Sequence, residues 1–269
     1  MYKRQRLFCL AIALICLGAT ARADDIAQAG RAVLKKYQDA VVTVRVVAKI
    51  SIPGRESSQE AKIDVVGLTV DATGLVVASL SGVDPSAKIS HMAGREVQTE
   101  IADVKIVLAD RTEIPAALVL RDKDLDLAFV RPTEKLAKPA TFIPLTATAR
   151  PEVLDQVIIL ARNLLTHRLE PIVGDVRIAA IADKPRLFYI GTPALQFNTP
   201  GSAVFSLDGQ LLGQLLIQRG AKSTWGVIIP AADIADSAKQ APAEAPKAPA
   251  PAAEEKEKKP APAPAKPKP

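Results

Sequence analysis

The sequence predicts an all-β protein of barrel or sandwich type, with one short helix at its start and a disordered tail at its end. About a dozen short segments rich in β-branched residues fill the stretch 42–229, and turn-forming residues separate them. No apolar spacing of helical period interrupts these segments. With 48% hydrophobic residues, the chain of 269 residues is able to bury the core of one large or two small domains.

Residues 1–23 have the features of a secretory signal peptide. A basic start precedes the apolar run 7–17, and Ala21 and Ala23 are small residues of the kind that signal peptidase accepts. We expect cleavage after Ala23 and a secreted or periplasmic mature protein without a transmembrane span, because a bilayer takes roughly 20 apolar residues to cross. Both cysteines of the chain lie in this segment, so we expect no disulfide, thiol nucleophile or Cys-based metal site.

The mature chain is expected to open with a helix and to continue as strands. Ile26, Val33, Leu34 and Tyr37 fall on one helical face, and after Ala40 the apolar period changes to alternation. The β-branched segments predict strands at 42–46, 62–70, 75–80, 104–109, 115–121, 125–131, 156–161, 172–180, 187–190, 203–206, 211–217 and 224–229. Turn chemistry is clearest at 71–74, 109–112 and 207–209.

The last segment, 240–269, is low-complexity sequence. After Gln240 it contains only Ala, Pro, Lys and Glu, a composition that favours extended polyproline-like chain and forms no core. At about 3.1 Å per residue it reaches up to roughly 90 Å. We expect either a tether that contacts cell-wall or envelope polyanions through its lysines, or a solubilising tail without a specific partner. The folded domain is then residues 24–239.

The net charge of +6 lies at the two ends of the chain. Residues 1–23 hold four basic and no acidic residues, and residues 240–269 hold six Lys and four Glu. The body between them therefore holds equal numbers of basic and acidic residues and is neutral. A neutral body without basic runs gives no electrostatic reason to expect a nucleic-acid ligand.

Four segments of the body, in order, carry a family pattern. The first is VGLTVDATGLVVASLSGV at 66–83, and the second joins VLADRTE at 107–113 to DLDLAFV at 124–130. The third is NTPGSAVFSLDGQLLG at 198–213, and the last is WGVIIP at 225–230. Together they resemble HtrA-type trypsin-like serine proteases over residues 38–232. The resemblance implies two six-stranded antiparallel barrels packed face to face, with a substrate cleft between them.

The catalytic triad of that family is degenerate in this chain. Asp126 matches the family aspartate, but Ser81 stands where the histidine is expected, and an alignment without gaps puts Pro200 at the nucleophile. A serine hydroxyl accepts no proton near neutral pH. Proline supplies neither a nucleophile nor the backbone N–H that helps to form the oxyanion hole.

Ser202 is the alternative nucleophile, reached by a short slip of the alignment. It would need a base, and the histidines of the mature chain are His91 and His167. His91 falls in an apparent insertion at 84–103, and His167 has no serine or carboxylate context, so we expect both to be exposed loop residues.

No cofactor and no metal site is expected. Two histidines far apart in a mature chain without cysteine do not form a zinc pattern, and nucleotide-binding glycine motifs are missing. Asp122, Asp124 and Asp126 alternate, but the turn glycine and terminal Glu of a calcium loop do not accompany them.

Three functional hypotheses remain open at this point. The first is an exported, catalytically inactive HtrA-like pseudoprotease that binds a peptide or protein in the cleft between the barrels. The second is a divergent serine endopeptidase that uses Ser202 with an unrecognised base. In the third, the cleft is vestigial and the body is a packing unit of an envelope assembly.

Overall fold

The structure is a computed structural model. It describes residues 25–51, 58–86, 89–90, 94, 96–146, 149–166, 168–184, 186–192, 199–219 and 224–246. The expected signal peptide and its cleavage point, His91, His167 and the tail beyond residue 246 lie outside the described residues.

The first six strands form one closed antiparallel barrel, here called barrel one, in the order β1-β2-β3-β6-β5-β4. Its strands are β1 (Val41–Ser51), β2 (Ser58–Thr69), β3 (Val76–Ser79), β4 (Gln98–Val107), β5 (Glu113–Asp122) and β6 (Leu127–Pro132).

The next six strands form a second closed antiparallel barrel, barrel two, in the order β10-β11-β12-β9-β8-β7. Its strands are β7 (Gln156–Arg162), β8 (Pro171–Ala182), β9 (Phe188–Gly191), β10 (Ser202–Phe205), β11 (Leu211–Arg219) and β12 (Thr224–Pro230).

Helical segments lie at the ends of the domain and at one strand end. Helix α1 spans 25–37 and runs into a 3-10 turn at Gln38–Ala40. A single helical turn, α2 (Leu80–Val83), follows β3, and α3 (Ala231–Ala238) follows the last strand. No helix within the described ranges is long and apolar enough to cross a membrane.

The predicted fold class is confirmed, with two six-stranded antiparallel barrels behind a short helix. Each predicted strand is present, but several bounds differ. The strand expected at 104–109 is β4, which begins at Gln98 and therefore occupies part of the segment expected to be an insertion. Helix α3 was not predicted from the sequence.

Successive side chains of a strand point to opposite faces. The strands at the contact therefore bury one face inside their own barrel and the other face against the second barrel. In β2 and β3, Val65 and Val76 face the interior of barrel one, whereas Val66 and Val77 face barrel two. In β7, Val157 and Ile159 are in the interior of barrel two, and their neighbours face barrel one. The result is a shared core between the barrels in addition to the core of each barrel.

Helix α1 is anchored to this shared core. Val33 and Tyr37 are buried in it, and the Tyr37 ring stacks on Phe205 of β10 with ring centroids 5.1 Å apart. An offset aromatic stack adds about 1 kcal/mol to the burial of the two rings. The predicted apolar face of the helix is therefore the face that meets the core.

Arg162, at the end of β7, is 3% exposed and joins segments that are distant in sequence. Its guanidinium donates to the carbonyl oxygens of Val41 (2.7 Å), Leu169 (3.2 Å) and Gln38. Burial lowers the pKa of Arg162, and the nearby Asp39 carboxylate opposes that shift. The arginine therefore fixes the start of β1 to barrel two.

Candidate functional site

Asp126 lies in the tight turn between β5 and β6. The turn is closed by the Asp122 carboxylate, which accepts from the backbone N–H groups of Asp124 (3.1 Å) and Leu125 (3.0 Å). Asp126 itself has a φ of 57°, a left-handed conformation that aspartate tolerates better than most residues. This backbone turns its side chain towards the start of α2.

The turn α2 is built by Ser79 at the end of β3. The Ser79 hydroxyl accepts from the Gly82 N–H at 3.2 Å, the usual role of a serine N-cap. The N–H of Leu80 donates to the backbone carbonyl of Asp126 at 2.9 Å. Ser81 is thereby held directly beside Asp126.

The Asp126 carboxylate is occupied by serine donors. Oδ1 accepts from the Ser81 backbone N–H at 2.7 Å, and Oδ2 lies 3.0 Å from both the Ser79 and the Ser81 hydroxyl. The two hydroxyl oxygens are 3.1 Å apart. Each hydroxyl carries one proton, so two of these three contacts are hydrogen bonds at any one time. Either both hydroxyls donate to the carboxylate, or one donates to the other serine, which then donates to the carboxylate.

This cluster is a closed hydrogen-bonded unit, and among the described residues none of its members is a base for acyl transfer. In a triad the aspartate orients an imidazole, which then takes the nucleophile's proton. Here Ser81 occupies the place beside the carboxylate, and a hydroxyl has no basicity near neutral pH. The arrangement can accept hydrogen bonds at the exposed Ser81 but cannot relay a proton.

Asp126 is expected to matter for stability as a hydrogen-bond acceptor. Asp126→Ala should lower the free energy of unfolding by about 2 kcal/mol, because three donor groups lose their acceptor and alanine is strained in the left-handed region. Asp126→Asn keeps one acceptor oxygen and tolerates this backbone, so we expect a loss below about 1 kcal/mol. Urea unfolding followed by circular dichroism measures both. Equal losses would show that the negative charge, not hydrogen-bond acceptance, is what the site requires.

Pro200 lies on barrel two, in the turn that leads into β10. The following residue, Gly201, has a φ of +97° and donates its N–H to the carbonyl of Leu215 at 2.7 Å. A Cβ atom built on Gly201 would lie 2.0 Å from the carbonyl oxygen of Val66, in β2 of barrel one. The backbone after Pro200 is therefore pressed directly against the other barrel.

Gln214 of β11 holds the same contact. It is fully buried, and its amide nitrogen donates to the carbonyls of Val77 (3.1 Å) in barrel one and Gly201 (3.0 Å) in barrel two. Its own carbonyl oxygen finds no hydrogen-bond partner among the described residues. The glutamine thus fixes the turn at Pro200 relative to β3, which leads to Ser81.

Ser202, the alternative nucleophile, is fully buried at the start of β10. Its hydroxyl donates to the carbonyl of Thr199 at 2.6 Å, and its N–H points to the same carbonyl at 3.3 Å. A hydroxyl that is shielded from solvent and donates to a backbone carbonyl is poorly placed to attack a substrate. Residues 193–198, just before this turn, lie outside the described residues.

The three alternating aspartates do not converge on a common point. Asp122 accepts from two backbone N–H groups and from the Ser237 hydroxyl at 2.7 Å, whereas Asp126 accepts from the serine cluster. Within the described part of the chain, no group of three or more His, Cys, Asp or Glu side chains is arranged to hold a metal ion.

Sequence reasoning missed two residues of this site, Ser79 and Gln214. Ser79 could have been found as a helix N-cap, since it stands directly before a short segment that leaves a strand. Gln214 is a single amide inside the apolar run 211–217, which marks a buried polar group that needs partners. Neither signal reveals the partners themselves, which come from distant strands.

Comparison with known proteins assigns no family to this chain. No protein-family model matches the chain, and no match was found among the curated proteins. The two closed six-stranded antiparallel barrels fit the trypsin-like double-barrel fold.

Proposed function

We propose that this protein is an exported, catalytically inactive HtrA-like member of the trypsin-like fold that binds a peptide or protein segment between its barrels. The fold supplies the two barrels, and the sequence motifs suggest the degenerate positions where a protease has its triad. In this role the protein would bind its ligand in the cleft between the barrels, here called the peptide groove, without cleaving it.

The serine cluster at Asp126 is the observation that carries the proposal. A working triad would place an imidazole against the Asp126 carboxylate, and that position is held by Ser81 through its N–H and its hydroxyl. Loss of the base alone costs on the order of a millionfold in turnover in another serine protease. The carboxylate is satisfied without the histidine, so it supports structure in place of catalysis.

The residues at the nucleophile position support the same interpretation. Pro200 has no hydroxyl and no N–H for an oxyanion, and the N–H of the next residue, Gly201, already donates to Leu215. The alternative, an active endopeptidase that uses Ser202, would require this buried hydroxyl to leave Thr199 and find a base. No observation on the described residues favours that alternative.

The expected signal peptide and tail suggest where the protein acts. A signal peptide ending at Ala23 would deliver the domain to the periplasm or the exterior, and the Lys-containing tail would hold it near an anionic envelope polymer. In that setting a non-cleaving double barrel would capture extended segments of envelope proteins.

The test has two readouts on the mature full chain from Asp24. We expect no adduct by intact mass after treatment with a fluorophosphonate probe under conditions that label trypsin, for both the natural chain and Ser202→Ala. An adduct that Ser202→Ala abolishes would overturn the proposal and establish an active hydrolase.

The second readout is binding of reduced, carboxymethylated α-lactalbumin, an unfolded polypeptide, followed by backbone amide NMR. We expect saturable shifts concentrated at residues 79–82 and at Thr199, Gly201 and Ser202, which approach the contact between the barrels from its two sides. Absence of any shift there, together with absence of an adduct, would contradict peptide binding and favour a packing unit with a vestigial cleft.

A further inference from the structure

A cavity of about 580 Å³ lies on barrel one, away from the serine cluster. Its walls come from the β2–β3 turn at 72–73, from the end of β6 and the segment that follows it (131–139), and from the chain beyond α3 at 243–245. This volume is in the range of small-molecule binding sites. Much of the lining is apolar, including Ala72, Pro132, Leu136, Pro139 and Ala243.

The walls of this cavity are fixed by backbone hydrogen bonds. Thr133 donates its N–H to Pro115 of β5 at 3.0 Å, and Ala140 donates to Ala72 at 3.0 Å. The β2–β3 turn is itself closed by the bond from Gly74 N–H to Asp71 at 3.2 Å. The cavity is thus held by the same strands that form the barrel.

Arg131 lines the cavity and has fewer partners than its charge requires. It is 8% exposed, yet among the described residues only the Thr73 hydroxyl accepts from it, at 2.5 Å. Its Nε has no partner among the described residues and is closed to solvent, so a ligand would have to meet the terminal nitrogens of the guanidinium. A guanidinium offers five N–H donors, and burial of unsatisfied donors on a charged group is costly.

The nearest carboxylate does not satisfy Arg131. Asp71 Oδ2 lies 3.7 Å from the arginine NH2 group, an ion-pair distance beyond hydrogen bonding. Its other oxygen already accepts from the Thr73 N–H (2.8 Å), the Thr73 hydroxyl (2.6 Å) and the Leu75 N–H (3.0 Å). One oxygen of Asp71 is therefore committed to its own turn and the other lies too far from Arg131 to accept a hydrogen bond, which leaves donor capacity on Arg131.

The charges at the rim balance, so the buried Arg131 is the group that would attract an anion, and a singly charged anion with an apolar body fits this lining. Lys135 and Lys138 line the cavity and are exposed, and neither has an ion pair among the described residues. Glu134 and Glu244 also line it, which disfavours a dianion such as phosphate. A carboxylate can accept two parallel hydrogen bonds from a guanidinium, the strongest common pairing of that group.

We propose that this cavity binds the carboxylate of a small organic acid or of a peptide C-terminus, with Arg131 as the main partner and Lys135 and Lys138 as rim charges. The remainder of the ligand lies against the alanine and proline wall. This site is separate from the peptide groove proposed above and does not depend on it.

The side-chain Nε–Hε NMR signal of Arg131, assigned through bonds, tests the proposal on the mature full chain. The probes are butyrate, N-acetyl-Ala-Pro with a free carboxylate, its C-terminal amide, and inorganic phosphate. We expect saturable shifts with the two carboxylates and none with the amide. A dipeptide that binds more than tenfold tighter than butyrate identifies a peptide C-terminus as the ligand, and the reverse order identifies a free acid.

Variants separate the cavity from general charge effects. Lys138→Gln should weaken binding about threefold, as expected for one exposed charge, whereas Lys123→Gln, an exposed lysine outside the cavity, should leave it unchanged. Arg131→Gln removes the reporter signal, so its binding is followed through the backbone amide shifts of Thr133 and Leu136 in the cavity wall. It should abolish binding where its amide spectrum shows a folded chain, and Lys138→Gln carries the test if that variant does not fold.

Three results would overturn the carboxylate site. The first is no saturable shift up to about 50 mM, where even a millimolar site would be nearly full. The second is an equal shift with the amide. The third is binding of phosphate without binding of either carboxylate.

Discussion

Gly201→Ala is expected to lower the free energy of unfolding by more than about 4 kcal/mol, the range reached only by severe core or backbone disruption. Two effects act together at this position. A Cβ would lie 2.0 Å from the Val66 carbonyl oxygen, and the φ of +97° disfavours any side chain. The contacting atom belongs to the backbone of a central strand, so relief of the clash requires the two barrels to separate.

Two other glycines of the chain serve as controls that separate the steric clash from the effect of positive φ. Gly94 has a φ of +62°, and a Cβ added there would meet nothing within 4 Å, so Gly94→Ala should cost about 1 kcal/mol from the backbone alone. For Gly191→Ala the nearest atom is 3.7 Å away, on Val176, and we expect a change within about 0.5 kcal/mol. Urea midpoints of the three variants give the comparison. A Gly201→Ala midpoint close to that of Gly94→Ala would mean that the barrels do not rest on each other at this turn.

The contact at Gly201 also bears on function. Gln214 joins the carbonyl of Gly201 to that of Val77, and β3 then leads through Ser79 to the serine cluster. The two sides of the proposed groove are therefore held at a set separation by backbone contacts that need no catalytic side chain. A double barrel can lose its triad and keep this geometry.

Strand positions were predictable because burial on two faces leaves an unusually clear signal. In β7, successive residues such as Ile158 and Ile159 face different cores, so the strand is a continuous apolar run. The turn residues supplied the breaks, as at Gly74 and Gly209, which both adopt positive φ.

Helix α3 was missed because its signal is weak. It has eight residues, and Ile234 is its one large buried side chain. Pro230 precedes it without a side-chain cap. The spacing of Ala231, Ile234 and Ala238 on one face was present in the sequence, but alanines alone do not distinguish a packed helix from a polar linker.

The site was only partly predictable, because its decisive bonds join residues distant in sequence. The family resemblance placed Ser81 and Asp126 at related positions, and the structure brings them within hydrogen-bond distance. It could not indicate that Ser79 shares the same carboxylate oxygen, nor that the Ser202 hydroxyl is turned to Thr199. Such partners depend on the local backbone of a turn, which no residue pattern specifies.

Arg162→Met is expected to cost more than about 3 kcal/mol of unfolding free energy, because hydrogen bonds from a charged donor are worth roughly 1.5–3 kcal/mol and three backbone carbonyls lose theirs. Methionine fills a comparable apolar space, so the loss reports the hydrogen bonds more than a cavity. Arg177 provides the matched control, since it is exposed and donates to a single carbonyl, that of Leu154, at 2.9 Å. Arg177→Met should cost below about 1 kcal/mol.

Arg162→Lys adds a test of burial through its pH dependence. Burial lowers the pKa of Arg162, and the same desolvation would lower the pKa of a lysine placed there. The unfolded chain would then bind more protons than the folded chain between the two pKa values, so stability rises with pH. We expect the stability deficit of Arg162→Lys, relative to the natural chain, to shrink between about pH 7 and pH 10.

The region that loses stability in Arg162→Met shows whether Arg162 holds α1 and β1 in place or stabilises the whole domain. Arg162 donates to Gln38 and Val41, the link between α1 and β1, so hydrogen exchange in Arg162→Met should accelerate first in α1 and at the start of β1. Uniform acceleration in both barrels, or an Arg162→Met loss no larger than that of Arg177→Met, would contradict this role. Because Tyr37 stacks on Phe205 next to the same link, release of α1 would also uncover the shared core on which the two barrels pack.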